Sequence, residues 1–253
     1  QQRLRRVLNA YATHDPEVGY VQGMNFIAAY LLFHANEEDT FWILESMMRA
    51  SKYGLANVFT NGMSGLHIAM YQTDRALLQV APELHAHFES LDIAPIMWLP
   101  SWILPLFASK MSEPALESCF DRFIHGGWNE MIRISIGILI MNEERLMACT
   151  YEQCLQQLTE VLWLQKNFAD MLDDVLDSTR SRVPNKDLTR WERQYLGVEA
   201  DEDDSAQWMV NLIPESLGKI PAEAITSGLL LVAAGAIGLG VHLGRRLNGN
   251  GRR

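Results

Sequence analysis

Apolar residues recur every three or four positions along most of the chain, which is the spacing that places them on one face of an α-helix. The first such helix ends before Pro16, because a residue that precedes proline avoids the α-helical region of backbone space. Further helical runs, bounded by acidic residues, glycines and prolines, cover residues 24–33, 41–48, 66–80, 82–91, 113–123, 128–141 and 151–176. The sequence shows no convincing strand pattern and no internal repeat, so it predicts an all-α fold.

The composition fits a folded chain of one large or two small domains and excludes wholesale disorder. Of its 253 residues, 48% are hydrophobic and 21% are charged, which is close to the average for globular proteins. The net charge of −10 argues against nucleic-acid binding, because such an interface needs a basic surface for the phosphates. Cys119, Cys149 and Cys154 have no metal-binding or disulfide spacing, so we expect small, mostly buried side chains in a reducing compartment.

The chain changes character after residue 180. Residues 181–222 include the acidic run Asp201–Asp204 and are predicted to be a solvated linker that is helical in part. Residues 225–243 contain no Asp, Glu, Lys or Arg, and as a helix they would be about 28 Å long, enough to cross a membrane. A buried or peripheral helix is the alternative for this apolar segment. The predicted organisation is therefore a helical domain at 1–180, an acidic linker at 181–222 and a tail anchor with a short basic tail at 223–253.

One segment between the first two predicted helices carries candidate chemistry. It runs from Pro16 to Asn25 and places a glycine on each side of Tyr20-Val21-Gln22, where glycine allows unusual backbone angles and close approach. It presents the amide of Gln22 at a helix N-terminus, and a glutamine held in this way can orient a water for in-line attack on a phosphoryl group. The alternative is a helix-capping turn with Tyr20 and Met24 buried. Motifs for phosphate-binding loops, serine hydrolysis and zinc catalysis are absent from the sequence, and no metal site is predicted.

Several blocks of the sequence resemble, in order and spacing, the TBC domain of Rab GTPase-activating proteins. The resemblance extends over residues 2–165 and depends on the blocks 4–11, 16–25, 82–88, 98–107, 120–128 and 131–139. It implies an all-helical TBC-type fold and an activity in which a glutamine, supplied to the GTPase in trans, positions the attacking water. That glutamine corresponds to Gln22. Tyr20, Gly23 and Asn25 of the same motif are the expected scaffold and contact residues.

The same resemblance implies the partner and its cofactors. The partner is a GTP-bound Rab-family GTPase, and GTP and Mg²⁺ belong to it, so no cofactor of the chain's own is expected. Regulation of vesicle and membrane traffic follows from this role. With an anchor at residues 225–243, the domain would face the cytosol on an intracellular membrane. The organelle is left open between mitochondria, peroxisomes and the endoplasmic reticulum.

The arginine that completes the family's mechanism has no counterpart in this sequence. It belongs to an I-x-x-D-x-x-R-T-F-P motif upstream of the first helix, whereas Arg3, Arg5 and Arg6 lie within that helix. We therefore expect that the sequence lacks the N-terminal part of the domain. We also expect weak activation by the chain as written, because an arginine finger is worth about 10³–10⁵ in rate. The alternative function is a non-catalytic Rab-binding or adaptor scaffold of the same fold.

Overall fold

A computed structural model of the protein describes residues 1–60, 62–161 and 168–198. Within these ranges the regular secondary structure is helical and no β-strand is found, as the periodicity predicts. A 3₁₀ turn lies at Pro95–Met97 and a π-helical turn at Gln157–Val161. The α-helices of the same ranges are α1 (Gln2–His14), α2 (Met24–His34), α3 (Glu37–Arg49), α4 (Leu55–Phe59), α5 (Ser64–Val80), α6 (Pro82–Ser90), α7 (Leu99–Ile103), α8 (Glu113–Gly126), α9 (Trp128–Met141), α10 (Glu143–Met147), α11 (Tyr151–Gln156), α12 (Phe168–Arg182) and α13 (Asn185–Tyr195).

Helix α9 is the most buried of the described helices. Its bounds match the helix predicted at residues 128–141, and every residue from Glu130 to Leu139 is buried. It packs against α5, α7, α8 and α12. Gly137 allows α12 to come close, because a Cβ atom at this position would lie 3.2 Å from Leu176 Cδ2. A helix that is apolar on nearly every side is expected in the core.

The first three helices pack on one another and carry the candidate site. α1 contacts both α2 and α3 and buries Val7 and Tyr11. Arg6 of α1 donates two hydrogen bonds to the Glu37 carboxylate at the start of α3, from Nε to Oε2 at 2.7 Å and from Nη2 to Oε1 at 2.5 Å. The loop that joins α1 to α2 is therefore held at both ends by helices that are packed against their neighbours.

The structure corrects the prediction of one continuous helix over residues 151–176. Helix α11 ends at Gln156, a π-helical turn follows at Gln157–Val161, and α12 begins at Phe168. The Leu158 carbonyl in that turn accepts a hydrogen bond from Trp102 Nε1 at 2.8 Å. A donor from another helix therefore satisfies a carbonyl in the irregular turn. Periodicity along the segment carries no information about that donor.

The structure also corrects the predicted start of the linker at residue 181. Helix α12 continues to Arg182, and α13 follows from Asn185 to Tyr195. α13 packs against α5 and buries Leu188 and Trp191. Its apolar stripe is narrow and most of its residues are polar. The composition of the segment therefore suggests a solvated linker, although the segment forms a helix that packs on the domain. The rest of the predicted linker, residues 199–222, lies outside the described residues.

The predicted membrane span at residues 225–243 lies outside the described residues as well. Of the helices that the structure describes, none combines the length and the apolar character needed to span a membrane.

Candidate functional site

Two glycines define the ends of the segment that carries Gln22. Gly19 has φ +62° and Gly23 has φ +114°, both in the left-handed region that side chains rarely adopt. Gly23 is buried, and a Cβ atom there would lie 3.0 Å from the Leu104 carbonyl oxygen and 3.2 Å from Leu104 Cβ. The close approach predicted at this glycine is therefore made to the chain's own Leu104, and Gly23 serves as scaffold for the loop.

The Asp15 carboxylate folds the first half of the loop. Its Oδ1 accepts a long hydrogen bond from the Val18 amide at 3.4 Å, and its backbone carbonyl accepts one from the Gly19 amide at 2.8 Å. The side chain is 3% exposed. These two hydrogen bonds close a turn over residues 15–19, so this part of the loop has a defined path.

Tyr20 and Asn25 contact each other across the tip of the loop. The Tyr20 hydroxyl and the Gly23 amide both donate to Asn25 Oδ1, at 3.4 and 3.3 Å. Met24 is fully buried, whereas Tyr20 is 54% exposed. The alternative of an ordinary capping turn required both side chains to be buried, and it holds for Met24 only. Tyr20 therefore offers an aromatic surface to the outside of the molecule.

The Gln22 side chain points away from the groups that fix the loop. It is exposed, and within the described part of the chain no partner holds its amide. Its carbonyl can accept and its NH₂ group can donate at the same time. The backbone around it is fixed by Gly19, Gly23 and Asp15, so a free amide is carried on a well-defined loop. This arrangement suits a group that acts on a second molecule.

A groove of about 280 Å³ lies beside the loop, between Tyr20 and the outer face of α1. Its α1 wall consists of Gln1, Leu4, Arg5, Leu8 and Asn9. Of the arginines in α1, Arg6 is bound to Glu37, and Arg3 donates to the Ala35 carbonyl at 2.9 Å. Arg5 is the arginine of α1 that faces the groove shared with Tyr20.

The described residues give no support to metal or thiol chemistry. They contain no group of three His, Cys, Asp or Glu side chains placed to hold a metal ion. Cys119 and Cys154 are buried as expected, and Cys149 is partly exposed. Burial raises the pKa of the Cys154 thiol to about 12, so this cysteine is not a nucleophile at neutral pH.

Two residues that fix the conformation of the loop were not identified from the sequence. Asp15 precedes the proline that ends α1, and the local signal that could have identified its role is the tendency of Asp side chains to accept hydrogen bonds from nearby backbone amides in turns. Leu104, which lies against Gly23, belongs to a proline-rich segment far along the chain and has no local signal. The structure places Tyr20, Gln22 and Gly23 in the loop between α1 and α2 and Asn25 in the first turn of α2, and it adds the groups that hold the loop.

Comparison with known proteins defines the class. The model of the Rab-GTPase-TBC domain family matches residues 1–147. This chain belongs to that family.

The relatives agree with the family assignment. The GTPase-activating protein GYP5 of Saccharomyces cerevisiae is 34% identical over 161 residues, which is 63% of this chain and 18% of that protein. The Rab GTPase-activating protein eat-17 of Caenorhabditis elegans is 30% identical over 207 residues, 81% of this chain and 23% of that protein. This chain therefore spans about a fifth of the length of these curated relatives. The crystal structure of a Chlamydomonas flagellar RabGAP TBC domain matches with a TM-score of 0.56 and 25% identity, over 70% of this chain and 57% of that one.

Proposed function

We propose that this protein is a GTPase-activating protein for Rab-family GTPases and that Gln22 acts in trans on bound GTP. The observation that carries the proposal is the exposed, unpartnered amide of Gln22 on a loop whose backbone is fixed at Gly19 and Gly23. Membership of the Rab-GTPase-TBC family and the names of the relatives give the class of partner. The same role would place the protein in the control of membrane traffic.

The chemistry follows from the two ends of the glutamine amide. Its carbonyl accepts a hydrogen bond from the attacking water, and its NH₂ group donates to an oxygen of the γ-phosphoryl group. Orienting the water in line with the bond that breaks lowers the entropic part of the barrier. GTP and Mg²⁺ arrive with the GTPase, and Tyr20 and Asn25 provide the surface that meets it.

A non-catalytic Rab-binding or adaptor scaffold is the second candidate function. The sequence contains no I-x-x-D-x-x-R motif, and Arg3 and Arg6 are bound to groups of the chain itself. A domain with this arrangement can dock on a GTPase without neutralising the charge that develops on the phosphates. Docking without acceleration is the outcome that separates this function from the first.

The test is single-turnover GTP hydrolysis by a panel of purified Rab GTPases, with binding to each Rab·GDP·aluminium fluoride complex measured in parallel. Gln22→Ala should reduce the acceleration by about 10²-fold, the effect typical of losing a group that positions a proton-transfer partner. Gln156→Ala, a change at an exposed glutamine on α11, should leave it unchanged. Binding with no acceleration by the wild type would favour the scaffold, and neither binding nor acceleration would refute both functions.

We propose, in addition, that residues 225–243 anchor the protein to an intracellular membrane. The support is the absence of any charged Asp, Glu, Lys or Arg over this stretch and its length, about 28 Å as a helix. An anchor would confine the domain near lipid-attached Rab proteins and raise their effective concentration.

Residues 223–253 fused to a fluorescent protein should sediment with membranes and label one organelle. Replacing both Leu231 and Ile237 by lysine should release the fusion, because each lysine near the middle of a span costs about 2.5–3.5 kcal/mol. A wild-type fusion that stays in the soluble fraction would overturn the anchor and leave the GTPase proposal untouched.

A further inference from the structure

The conformation of the loop before Gln22 depends on the buried Asp15 carboxylate. Its side chain is 3% exposed, and it accepts hydrogen bonds from the Val18 amide and, at 3.1 Å, from the Tyr11 hydroxyl. Both donors are neutral. Burying a carboxylate with neutral donors alone is costly, so without a positive charge nearby it would turn toward water. That change would remove an acceptor that the loop uses.

Arg49 supplies the missing charge. This residue ends α3, and its Nη2 lies 3.0 Å from Asp15 Oδ2. Within the described ranges no other cation forms an ion pair with Asp15. The Arg49 side chain is 54% exposed, so the guanidinium remains partly hydrated while it neutralises the carboxylate. The pair therefore avoids much of the desolvation cost of a fully buried ion pair.

The contacts form a continuous path from α3 to the Gln22 loop. Arg49 holds the Asp15 side chain, and Asp15 holds Val18 and Gly19. Gly19 is the first of the two left-handed residues that flank Tyr20–Gln22, and Gly23, the second, is set against Leu104. One end of the loop thus depends on packing, and the other depends on a charge from a different helix.

We propose that Arg49 is a positioning residue for the Gln22 loop and that it acts through the Asp15 carboxylate. Its effect on GTP hydrolysis rests on the proposed function above, whereas its effect on the loop does not. In the described part of the chain, Arg49 pairs with Asp15 and forms no hydrogen bond or ion pair with Tyr20 or Gln22. Removing its charge frees the Asp15 carboxylate, which unfolds the 15–19 turn and lets the Gln22 amide sample positions away from the phosphoryl group.

The first experiment measures amide hydrogen exchange at Val18 and Gly19 in the full chain. Arg49→Met should accelerate exchange at both amides by about tenfold or more, since their acceptors both belong to Asp15. Arg49→Lys, which keeps the charge, should restore most of the protection. Arg190→Met is the matched control, because Arg190 is a 49% exposed arginine paired with Asp187 at 3.6 Å on α13. Equal exchange in the wild type and Arg49→Met would overturn the proposal.

The second experiment tests whether Arg49 acts through Asp15. In Asp15→Asn the amide oxygen can still accept from the Val18 amide, but the charge is gone. If the path is correct, adding Arg49→Met to Asp15→Asn changes the exchange rates by less than twofold. A further large acceleration in the double variant would show that Arg49 acts on the loop by another route, and it would refute the assigned path.

The third experiment separates this inference from the proposed function. With a Rab that the wild type activates, Arg49→Met should lower the maximal hydrolysis rate about tenfold and change the Kd for the GTP-bound Rab by less than twofold, and Arg49→Lys should recover the rate. Unchanged catalysis in Arg49→Met would refute the catalytic consequence while the proposed function stands. A wild type that activates no Rab would refute the proposed function, and the exchange measurements would still decide the role of Arg49.

Discussion

At the scale of single residues, the Gln22 loop shows which parts of a site are encoded locally. The spacing of Gly19 and Gly23 predicts unusual backbone angles, and both glycines adopt left-handed φ values. The same spacing cannot reveal that Leu104 lies against Gly23, because that contact joins residues far apart in the chain. Nor does it show that Arg49 neutralises Asp15. The sequence indicates the residue that we propose acts on GTP, but it does not indicate the groups that fix the loop around it.

Gly23→Ala tests how much the backbone conformation and close packing at Gly23 matter for stability. The new Cβ would combine a left-handed backbone with a 3.0 Å approach to the Leu104 carbonyl oxygen, so we expect a loss of about 2–4 kcal/mol in the free energy of unfolding. Urea denaturation of the wild type and the variant measures this loss.

Gly197→Ala is the control for the cost of placing a side chain on a left-handed backbone without a close contact. Gly197 has φ +68°, and a Cβ there would meet nothing within 4 Å, so its cost should be about 1 kcal/mol, the price of left-handed backbone alone. Equal destabilisation at the two glycines would show that the contact with Leu104 has no energetic weight.

At the scale of elements, local signals set most helix boundaries. Pro82 begins α6 and Gly127, with φ +72°, separates α8 from α9, both where the sequence predicts. The predictions failed for 151–176 and for the start of the linker. In both places the contacts that determine the structure come from other helices. Trp102 donates a hydrogen bond to the π-helical turn, and α5 packs against α13. Intrinsic patterns are weak where tertiary contacts supply the stabilisation.

Leu188→Ala tests whether α13 is an integral helix of the domain. Leu188 is fully buried, and truncating a buried leucine costs about 2–5 kcal/mol. Leu196→Ala provides a matched control, because Leu196 follows the same helix and is 55% exposed. Its cost should stay within about 0.5 kcal/mol. The measurement is urea unfolding. A Leu188→Ala protein as stable as Leu196→Ala would show that α13 is not an integral helix of the domain.

At the scale of the whole molecule, a buried arginine that is ion-paired within α9 also links this helix to α12 and α13. Arg133 Nη1 lies 2.6 Å from Glu130 Oε1, and both side chains are 3% exposed. Arg133 also donates to the Val183 carbonyl at 2.9 Å and to Asn185 Oδ1 at 2.5 Å. The guanidinium therefore bonds α9 to the connection between α12 and α13. It is a structural group of the core rather than a candidate finger.

Arg133→Met should lower the free energy of unfolding by about 3 kcal/mol, because it leaves the buried Glu130 carboxylate with only the half-exposed Arg180, whose Nη2 lies 3.0 Å from Glu130 Oε1. Glu130→Gln combined with Arg133→Met should be more stable than Arg133→Met alone, since the buried charge that has lost its buried partner is then removed. Thermal and urea unfolding of the wild type, the two single variants and the double variant measure this difference. A double variant whose loss equals the sum of the two single losses would contradict the assigned pairing.

The sequence by itself determined the all-α class, the longer helices up to α9 to within about four residues at each end, and the residue that is proposed to act on GTP. These features depend on periodicity, on proline and glycine, and on a short motif, all of which are written within a few neighbouring positions. Only the tertiary structure decided that α13 belongs to the domain, that Leu104 closes one end of the Gln22 loop and that Arg49 and Asp15 hold the other. Those features depend on groups that folding alone brings within contact distance, because burial and ion pairing join residues with no relation along the chain.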